Sequence, residues 1–422
     1  MPEAYIYIML PGATAAVTAG RFEHTVDRNG VTAGSFVYGR RYRERADAVE
    51  IDPVELRLGR VGYETIRLNG VFGALRDAGP DYWGRRVIEK HTGLGQMGEL
   101  DYLLHSPDDR AGALGFGLGV EPPAPAREFN KTWDLEKLQA LADAVLADKD
   151  PRAAAQVEEL LLLGTSMGGA RPKVVVESED ALWLAKFNRM DDRWNMARVE
   201  HATLQLGRQC GLQTAETQIA KIGGRDVLLV KRFDRTRVLD GYARTRMVSA
   251  LTLLETDETP EGRARWSYVL LVETLRRISQ RPADDARELF RRMVFNALVS
   301  NIDDHPRNHA AIAPGSGWRL SPAYDLTPTP SIGEGRRDLT MACGAQGRFA
   351  NAGNLLSECR RFLLAPDEAK ALVDEMAQTV AREWYATARA CGVSEADCEA
   401  IRRAYVHPGF SVGVQPNGEV NS

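Results

Sequence analysis

Three polar side chains in the C-terminal half of the chain have types and spacing that suit phosphoryl transfer. They are Asp303, Asn308 five positions later, and Asp325. In such a site the first aspartate orients a hydroxyl group, while the asparagine and the second aspartate hold magnesium on ATP. Magnesium prefers oxygen ligands and takes few of them from protein, so one amide and one carboxylate are sufficient. The alternative interpretation of the segment from Asp303 to Pro306 is an acidic turn whose side chains cap backbone amides.

An apolar helix is predicted directly before this loop. Its start signal is the segment from Pro282 to Asp285. The apolar positions that recur on one helical face are Leu289, Phe290, Met293, Val294, Ala297 and Leu298. The loop is therefore expected to follow a buried helix.

A loop rich in small residues, from Gly164 to Lys173, precedes a predicted hairpin whose second strand contains Lys186. Glycines allow backbone amides to face phosphate oxygens, and a lysine on the next strand can reach the same oxygens. The loop matches no pattern-defined phosphate loop in full. Lys186 could instead lie on an edge strand with its ammonium group in water.

Two further segments could complete a nucleotide site. Glu200 lies on a predicted helix and could pair with Lys186, or it could be an exposed helix charge. A second predicted hairpin turns at Gly223 and Gly224, and its second strand ends in a polar exit at Asp234. Backbone groups at that exit could meet an adenine ring.

The order of these segments resembles that in the HipA family of serine/threonine kinases, the toxins of HipBA toxin–antitoxin modules. The similar segments are residues 166–173, the strand with Lys186, and residues 230–235, 303–308 and 321–325. The front of the chain is similar to that family's N-terminal domain at residues 70–75, 83–88 and 112–115. The resemblance spans most of residues 5–405.

This resemblance implies a role for each site residue. It implies that Asp303 is the catalytic base, that Asn308 and Asp325 are the magnesium ligands, and that Lys186 binds phosphate. Lys231 and Phe233 match the hinge that binds adenine through its backbone, and Asp234 matches a residue near the ribose. The full set expected to bind ATP is Gly168, Gly169, Ala170, Arg171, Pro172, Lys173, Lys186, Lys231, Arg232, Phe233, Asp234, His305, Asn308, Tyr324 and Asp325.

The chain departs from the founding pattern at several positions. Asp304 follows Asp303 where the founding member has glycine, so either aspartate could be the base. Lys231 stands where the founding member has glutamate. Ser166 matches the loop serine that the founding member phosphorylates on itself, although Thr165 could compete with it. A phosphate there would add up to about two negative charges beside the place of ATP.

The pattern of elements predicts an α+β chain with a bilobal protein-kinase-like fold, in which a sheet-rich N-terminal lobe precedes a helical C-terminal lobe. A proline-rich segment at 121–126 indicates a domain boundary. The expected parts are an N-terminal HipA-type subdomain at 1–120, a nucleotide-covering lobe at 129–235, a helical catalytic lobe at 236–411 and a mobile tail at 412–422. Long helices are predicted at 265–279, 286–300, 367–389 and 394–405.

Composition narrows the function classes. The formal net charge of −4 on 422 residues argues against autonomous nucleic-acid binding. Five cysteines, an odd number without metal-type pairing, suit reduced thiols in a cytoplasm. No apolar run approaches the length that spans a bilayer, and the first run, from Tyr5 to Leu10, is expected to be a strand rather than a signal peptide. A cytoplasmic protein without a membrane partner is therefore expected.

The leading hypothesis is a serine/threonine protein kinase toxin that transfers the ATP γ-phosphoryl group to a cellular protein. By resemblance the target is an aminoacyl-tRNA synthetase or another translation component, and Ser166 is a site of self-phosphorylation. The expected partners are a HipB-like helix-turn-helix antitoxin and, mainly through it, operator DNA. The alternatives are a non-catalytic antitoxin-binding corepressor and a small-molecule kinase.

Overall fold

The computed structural model describes residues 3–59, 62–95, 97–124, 129, 135–146, 171–179, 181–189, 191–330, 336–405 and 407–411. The chain divides into two units, each built from several separate segments of the sequence. The first unit contains Met1–Arg189, Lys221–Glu255 and Ala311–Trp318. The second contains Met190–Ala220, Thr256–Ala310 and Arg319–Ser422.

Strands and helices both contribute to the described residues. The strands are β1 Glu3–Met9, β2 Ala16–Val26, β3 Thr32–Tyr38, β4 Gly62–Thr65, β5 Leu114–Gly117, β6 Lys173–Ser178, β7 Ala181–Phe187, β8 Thr217–Ile222, β9 Arg225–Lys231, β10 Arg235–Val238, β11 Gly241–Arg244, β12 Arg246–Ser249, β13 Ala310–Ala313 and β14 Arg319–Leu320. The helices are α1 Arg40–Arg43, α2 Gly73–Asp77, α3 Tyr82–Thr92, α4 Glu99–His105, α5 Leu135–Leu146, α6 Met196–Gln209, α7 Ala250–Leu253, α8 Tyr268–Ile278, α9 Pro282–Leu298, α10 Ala352–Ser357, α11 Pro366–Ala390 and α12 Glu395–Ile401.

The first unit begins with a five-stranded antiparallel sheet in the order β4-β3-β2-β1-β5. Side chains alternate between the two faces of a strand, and Ile6, Phe22 and Phe36 form part of the fully buried face. The predicted N-terminal strand is confirmed as β1.

A four-stranded sheet in the order β6-β7-β9-β8 follows. Both predicted hairpins are confirmed within it. Gly223 and Gly224 have φ angles of 52° and 80° at the turn between β8 and β9, a conformation that glycine adopts without strain. Lys186 lies on β7, between β6 and β9, so the alternative of an edge-strand lysine is wrong.

Helices dominate the second unit, and α9 is its central element. This helix packs against α8 and α11, and Leu289, Phe290 and Met293 on it are completely buried. The predicted start signal is confirmed, because Pro282 occupies the first turn, where a missing N–H has no cost. No helix among the described residues is long and apolar enough to span a membrane.

The two units do not follow the predicted domain boundaries. The first unit includes residues 221–255, which pass the predicted boundary at 235, and the later segment 311–318. Periodicity along the chain reports the type of each local element, whereas the partner against which a distant segment packs depends on tertiary contacts. The predicted tail at 412–422 lies outside the described residues.

Replacing Leu289 with alanine should destabilise the protein, because the side chain is completely buried on α9. We expect Leu289→Ala to lower the free energy of unfolding by about 2–5 kcal/mol, measured by urea denaturation. Leu270→Ala on α8 is the control, since Leu270 is 39% exposed, and its cost should stay below about 1 kcal/mol. Equal losses for the two variants would contradict the central position of α9.

Candidate functional site

The loop that follows α9 leaves the helix in a fixed direction. Ser300 has a left-handed φ angle of 52°, and its hydroxyl donates to the Ala404 carbonyl at 2.6 Å. The amide of Asn301 donates to the Asn296 carbonyl at 2.8 Å, and the two side-chain amides are joined at 3.0 Å. These contacts fix the entry to the next four residues.

Asp304 lies in the interior of the second unit. Its Oδ2 atom accepts a hydrogen bond from the Tyr268 hydroxyl and lies 2.7 Å from His309 Nε2. Asn296 donates to the Tyr268 oxygen at 3.1 Å, which extends the network. A buried carboxylate needs such partners, because it has lost its hydration. Asp304 therefore holds the loop against α8 and α9.

The neighbouring Asp303 is exposed. Partial loss of hydration raises the pKa of its carboxyl group above the ordinary value, His305 acts in the opposite direction, and the negative charges of Asp325 and Asp304 raise the pKa further. The sequence left both aspartates open as the base. Their surroundings differ, because Asp303 is exposed and Asp304 is buried.

Asn308 ends a short 3₁₀ turn at Pro306–Asn308. Its amide nitrogen Nδ2 is 3.4 Å from the Asp303 carbonyl, to which it donates. The nitrogen and oxygen of a side-chain amide point in different directions, so with Nδ2 on that carbonyl the Asn308 amide oxygen is left to face another partner.

Asp325 follows a segment that is tied to the rest of the second unit by its backbone. The Ala323 amide donates to the Gln213 carbonyl at 2.7 Å, and the Tyr324 hydroxyl donates to the Arg307 carbonyl at 2.7 Å. Asp325 itself has a left-handed φ angle of 59°, which aspartate tolerates better than most residues. Its effect on the pKa of Asp303 indicates that the two carboxylates face a common region.

The donor atoms in this region fit magnesium. Asn308 offers a neutral amide oxygen and Asp325 a carboxylate, which are hard ligands of the kind that magnesium takes beside phosphate oxygens. Among the described residues, no group of three or more histidine, cysteine, aspartate or glutamate side chains could hold a metal. Asn308 and Asp325 would be the protein ligands of such an ion.

His305 belongs to the same loop. Its Nδ1 atom is buried and has no hydrogen-bond partner within the part of the chain that the structure describes. The ring packs edge-on against Trp266, with 6.5 Å between the ring centroids. A buried nitrogen without a partner is a position where a ligand oxygen could be bound.

In the first unit, the glycine-rich loop lies only partly within the described residues. Ser166, Gly168, Gly169 and Ala170 lie outside them, whereas Arg171 and Pro172 are described and precede β6.

Lys173 begins β6 and is directly opposite Lys186 on β7, so the two side chains are on the same face of the sheet. Lys173 is buried, with its ammonium nitrogen 2.5 Å from the carboxylate of Asp81. The charge of Lys173 is therefore balanced by Asp81. This position of Lys173 differs from the predicted one, in which its ammonium group contacts a phosphate. Lys186 is half-buried and remains a predicted phosphate ligand.

Residues 231–234, the predicted hinge segment, contain two kinds of side chain. Lys231 and Phe233 are half-exposed, and the Lys231 ammonium nitrogen lies 5.9 Å from the centre of the Trp183 ring. Arg232 and Asp234 are buried and bind each other at 2.8 and 3.0 Å. Burial alone would raise the pKa of Asp234, but the charges of Arg232 and Arg235 outweigh it and hold that pKa well below its usual range. The enclosed carboxylate of Asp234 does not fit the expected contact with ribose.

The structure thus brings together Asp303, His305, Asn308, Tyr324 and Asp325 in the second unit. Sequence reasoning missed the supporting residues. Asn296 gave a signal, since it is a polar residue inside an apolar helix and is completely buried, whereas Tyr268 gave none. Glu200 on α6 is buried, so the alternative of an exposed helix charge is wrong.

Comparison with known proteins identifies relatives of both the sequence and the fold. Residues 165–384, just over half of the chain, match the HipA-like C-terminal domain. The protein "Putative kinase Y4mE" of Sinorhizobium fredii (strain NBRC 101917 / NGR234) is 31% identical over 156 residues, which cover 36% of this chain and 37% of that protein. A protein of Haemophilus influenzae (strain ATCC 51907 / DSM 11121 / KW20 / Rd) named "Putative kinase" is 23% identical over 192 residues, with 40% and 55% coverage. The matches thus span about a third to a half of these relatives.

A solved structure shares the fold over nearly the whole length. It is the complex of HipA, HipB and operator DNA from the toxin–antitoxin system of Shewanella oneidensis MR-1. The superposition has a TM-score of 0.66 at 15% sequence identity and covers 94% of both chains. This likeness shows that the chain has the α+β, kinase-like fold that its sequence predicts. On the strength of the domain match, the chain belongs to the family defined by the HipA-like C-terminal domain.

Proposed function

We propose that the protein is an ATP-dependent serine/threonine protein kinase that acts as the toxin of a HipBA-type module. The observation that carries this proposal is the grouping of Asp303, Asn308 and Asp325 in the second unit. Asp303 is exposed with a raised pKa, Asn308 is held by its bond to the Asp303 carbonyl, and Asp325 follows a segment that is tied by its backbone. Phosphoryl transfer needs these parts, because its catalysis rests on positioning and charge stabilisation.

In this proposal Asp303 accepts the proton of the attacking hydroxyl group and orients its oxygen. Asn308 and Asp325 hold magnesium, which when bound neutralises charge on the phosphate oxygens. Asp304 does not take part in proton transfer, since its carboxylate is occupied by Tyr268 and His309. The role of Asp304 is to keep the loop rigid, so that Asp303 meets the hydroxyl in one orientation.

His305 and Tyr324 are proposed to contact the nucleotide from the same loop region. The buried Nδ1 atom of His305 supports this, because a phosphate oxygen would give it a partner. Lys186 is proposed to bind the phosphates, and the backbone of Lys231 and Phe233 to bind adenine. Ser166 is proposed as the site of self-phosphorylation.

The acceptor is proposed to be a cellular protein, in keeping with the family. The Shewanella structure contains HipA with HipB and operator DNA, which supports a HipB-like antitoxin as the partner of this chain and DNA contact mainly through that antitoxin. The chain's formal net charge of −4 agrees with indirect rather than autonomous DNA binding.

Labelled ATP tests the proposal directly. The purified chain is incubated with γ-labelled ATP and magnesium, and the labelled position is mapped by mass spectrometry. We expect label on Ser166, and on a protein acceptor when a translation extract is added. Label found only on an added metabolite would instead favour a small-molecule kinase. No label, together with intact antitoxin binding, would favour a corepressor without catalytic activity.

Replacing Asp303 with asparagine should abolish most of the transfer. The amide keeps the size of the side chain but cannot accept the hydroxyl proton, so we expect the rate to fall by roughly two or more powers of ten. The affinity for a fluorescent ATP analogue should stay within about threefold of wild type, because Asp303 is proposed to act in the transition state and not in the binding of ATP. Asp374→Asn is the control, because Asp374 is exposed on α11 and pairs with Lys370. Full transfer by a folded Asp303→Asn variant would refute the assignment.

Replacing Asp304 with asparagine should change the pH dependence. The charge of Asp304 raises the pKa of Asp303, so its removal lowers that pKa, and Asp303 then stays ionised to lower pH. We therefore expect the acidic limb of the pH–rate profile to move to lower pH, with a smaller loss of activity than in Asp303→Asn. Glu258→Gln is the matched control, since Glu258 binds Arg307 on the same loop. An unmoved limb would contradict the effect of the Asp304 charge on the base. Complete inactivity of Asp304→Asn with an active Asp303→Asn variant would exchange the roles of the two aspartates.

A further inference from the structure

Four charged side chains form a buried group in the first unit, here called the Asp109–Asp234 cluster: Asp109, Arg232, Asp234 and Arg235. Each of these side chains is 1–2% exposed. Asp109 Oδ1 accepts hydrogen bonds from Arg232 at 2.6 Å and from Arg235 at 3.1 Å. Asp234 Oδ2 accepts from the same two arginines at 2.8 Å each. Two positive charges thus share two carboxylates.

The cluster also joins two distant backbone segments. The Gly112 amide donates to Asp234 Oδ2 at 2.9 Å, and Arg235 donates to the Gly112 carbonyl at 2.9 Å. Arg232 donates to the Arg110 carbonyl at 2.8 Å. Residues 231–235 are therefore fastened to residues 109–112, more than a hundred positions earlier in the chain.

A buried group of ion pairs is not an efficient way to stabilise a protein. Removing charges from water costs about as much as their attraction returns, and apolar residues of the same size often do as well. What the cluster supplies is orientation, because each guanidinium fork fits its acceptors in one geometry. A cluster of this kind indicates that the position of residues 231–235 matters.

The burial of residues 231–234 alternates along the segment, which agrees with a fixed orientation of its backbone. Arg232 and Asp234 are buried in the cluster, while Lys231 and Phe233 are half-exposed on the remaining side. The amide of Arg232 also donates to the Leu182 carbonyl at 2.9 Å, which joins the segment to the beginning of β7. The segment is thus held by the buried side chains of the cluster and by a backbone bond to β7, while the side chains of Lys231 and Phe233 stay partly exposed.

A second contact joins the same sheet to the N-terminal part of the chain. Asp81 Oδ1 accepts from the Gly84 amide at 2.6 Å and so caps α3, while Oδ2 accepts from Lys173 at 2.5 Å. This contact holds the start of β6, and the Asp109–Asp234 cluster holds the segment after β9. Both ends of the β6-β7-β9 part of the sheet are fixed by carboxylates from residues 81–109.

We propose that Asp109 is a positioning residue for the nucleotide site, which fixes residues 231–234 in the geometry that binds the adenine ring. This inference rests on the proposed function, since it assigns the segment to nucleotide binding. The N-terminal part of the chain then acts as a built-in scaffold that sets affinity for ATP. Asp109 itself touches neither the nucleotide nor the reacting atoms.

The test replaces Asp109 with asparagine in the full chain. The change keeps the size of the side chain but leaves Arg232 and Arg235 to share one carboxylate. We expect the KM for ATP and the dissociation constant of a fluorescent ATP analogue to rise together by about tenfold, while kcat changes by less than about threefold, because charge-assisted hydrogen bonds that orient the segment are lost. Amide hydrogen exchange in residues 231–235 should increase.

The matched control is Asp77→Asn. Asp77 also accepts three hydrogen bonds in the first unit, from the Ser249 amide and hydroxyl and from the Thr252 hydroxyl, each at 2.7 Å. Its loss should leave the affinity for the ATP analogue unchanged. Should Asp109→Asn fail to fold, Arg235→Lys keeps the charge but removes the fork, and the same rise in the dissociation constant is expected.

The outcomes separate this inference from the proposed function. Wild-type protein that binds no ATP analogue would overturn the proposed function and this inference with it. Unchanged analogue affinity in a folded Asp109→Asn variant would overturn only the positioning role. An equal loss of affinity in Asp77→Asn would also overturn the positioning role, because the effect would then be general destabilisation. Unchanged hydrogen exchange at residues 231–235 would overturn it too, because the segment would then not be loosened.

Discussion

The hydrogen bonds from Tyr268 and His309 to Asp304 determine which of two adjacent carboxylates is buried in the second unit. A carboxylate that leaves water must be matched by donors, and these two residues provide them. Since Asp304 is held inside, the turn leaves Asp303 exposed beside Asp325, where the pKa of Asp303 rises. The proposed chemistry depends on this division, because two exposed aspartates or two buried ones would not offer one defined base.

Buried polar contacts hold particular backbone segments in both units. In the second unit, Arg337 donates to the hydroxyl of Ser300, whose left-handed backbone begins the loop. In the first, the Asp109–Asp234 cluster fastens the hinge segment to residues 109–112. Buried polar groups are costly unless every partner is present, so they fix one arrangement of the backbone. Atoms that must meet a phosphate within a few tenths of an ångström need such supports.

The sequence predicts the local elements well and their supports poorly. Helix α11 at Pro366–Ala390 matches the segment predicted at 367–389, and α9 begins at its predicted proline, because periodicity and capping are local signals. The spacing of Asp303, Asn308 and Asp325 singles out the acidic loop, and its catalytic role stays a prediction. The sequence could not predict that Asp303 is exposed while Asp304 is buried, because burial of Asp304 depends on Tyr268. It also could not predict the burial of Lys173, Arg232 and Asp234, which depends on Asp81 and Asp109, far away in the chain.

The proposed function requires that Asp303, Asn308 and Asp325 surround one metal-bound nucleotide. A crystal structure of the chain with magnesium and a non-hydrolysable ATP analogue would show whether they do. Magnesium is expected at about 2.0–2.1 Å from oxygens of Asn308 and Asp325, with the γ-phosphate facing Asp303. A nucleotide bound elsewhere, or magnesium that contacts neither residue, would contradict it.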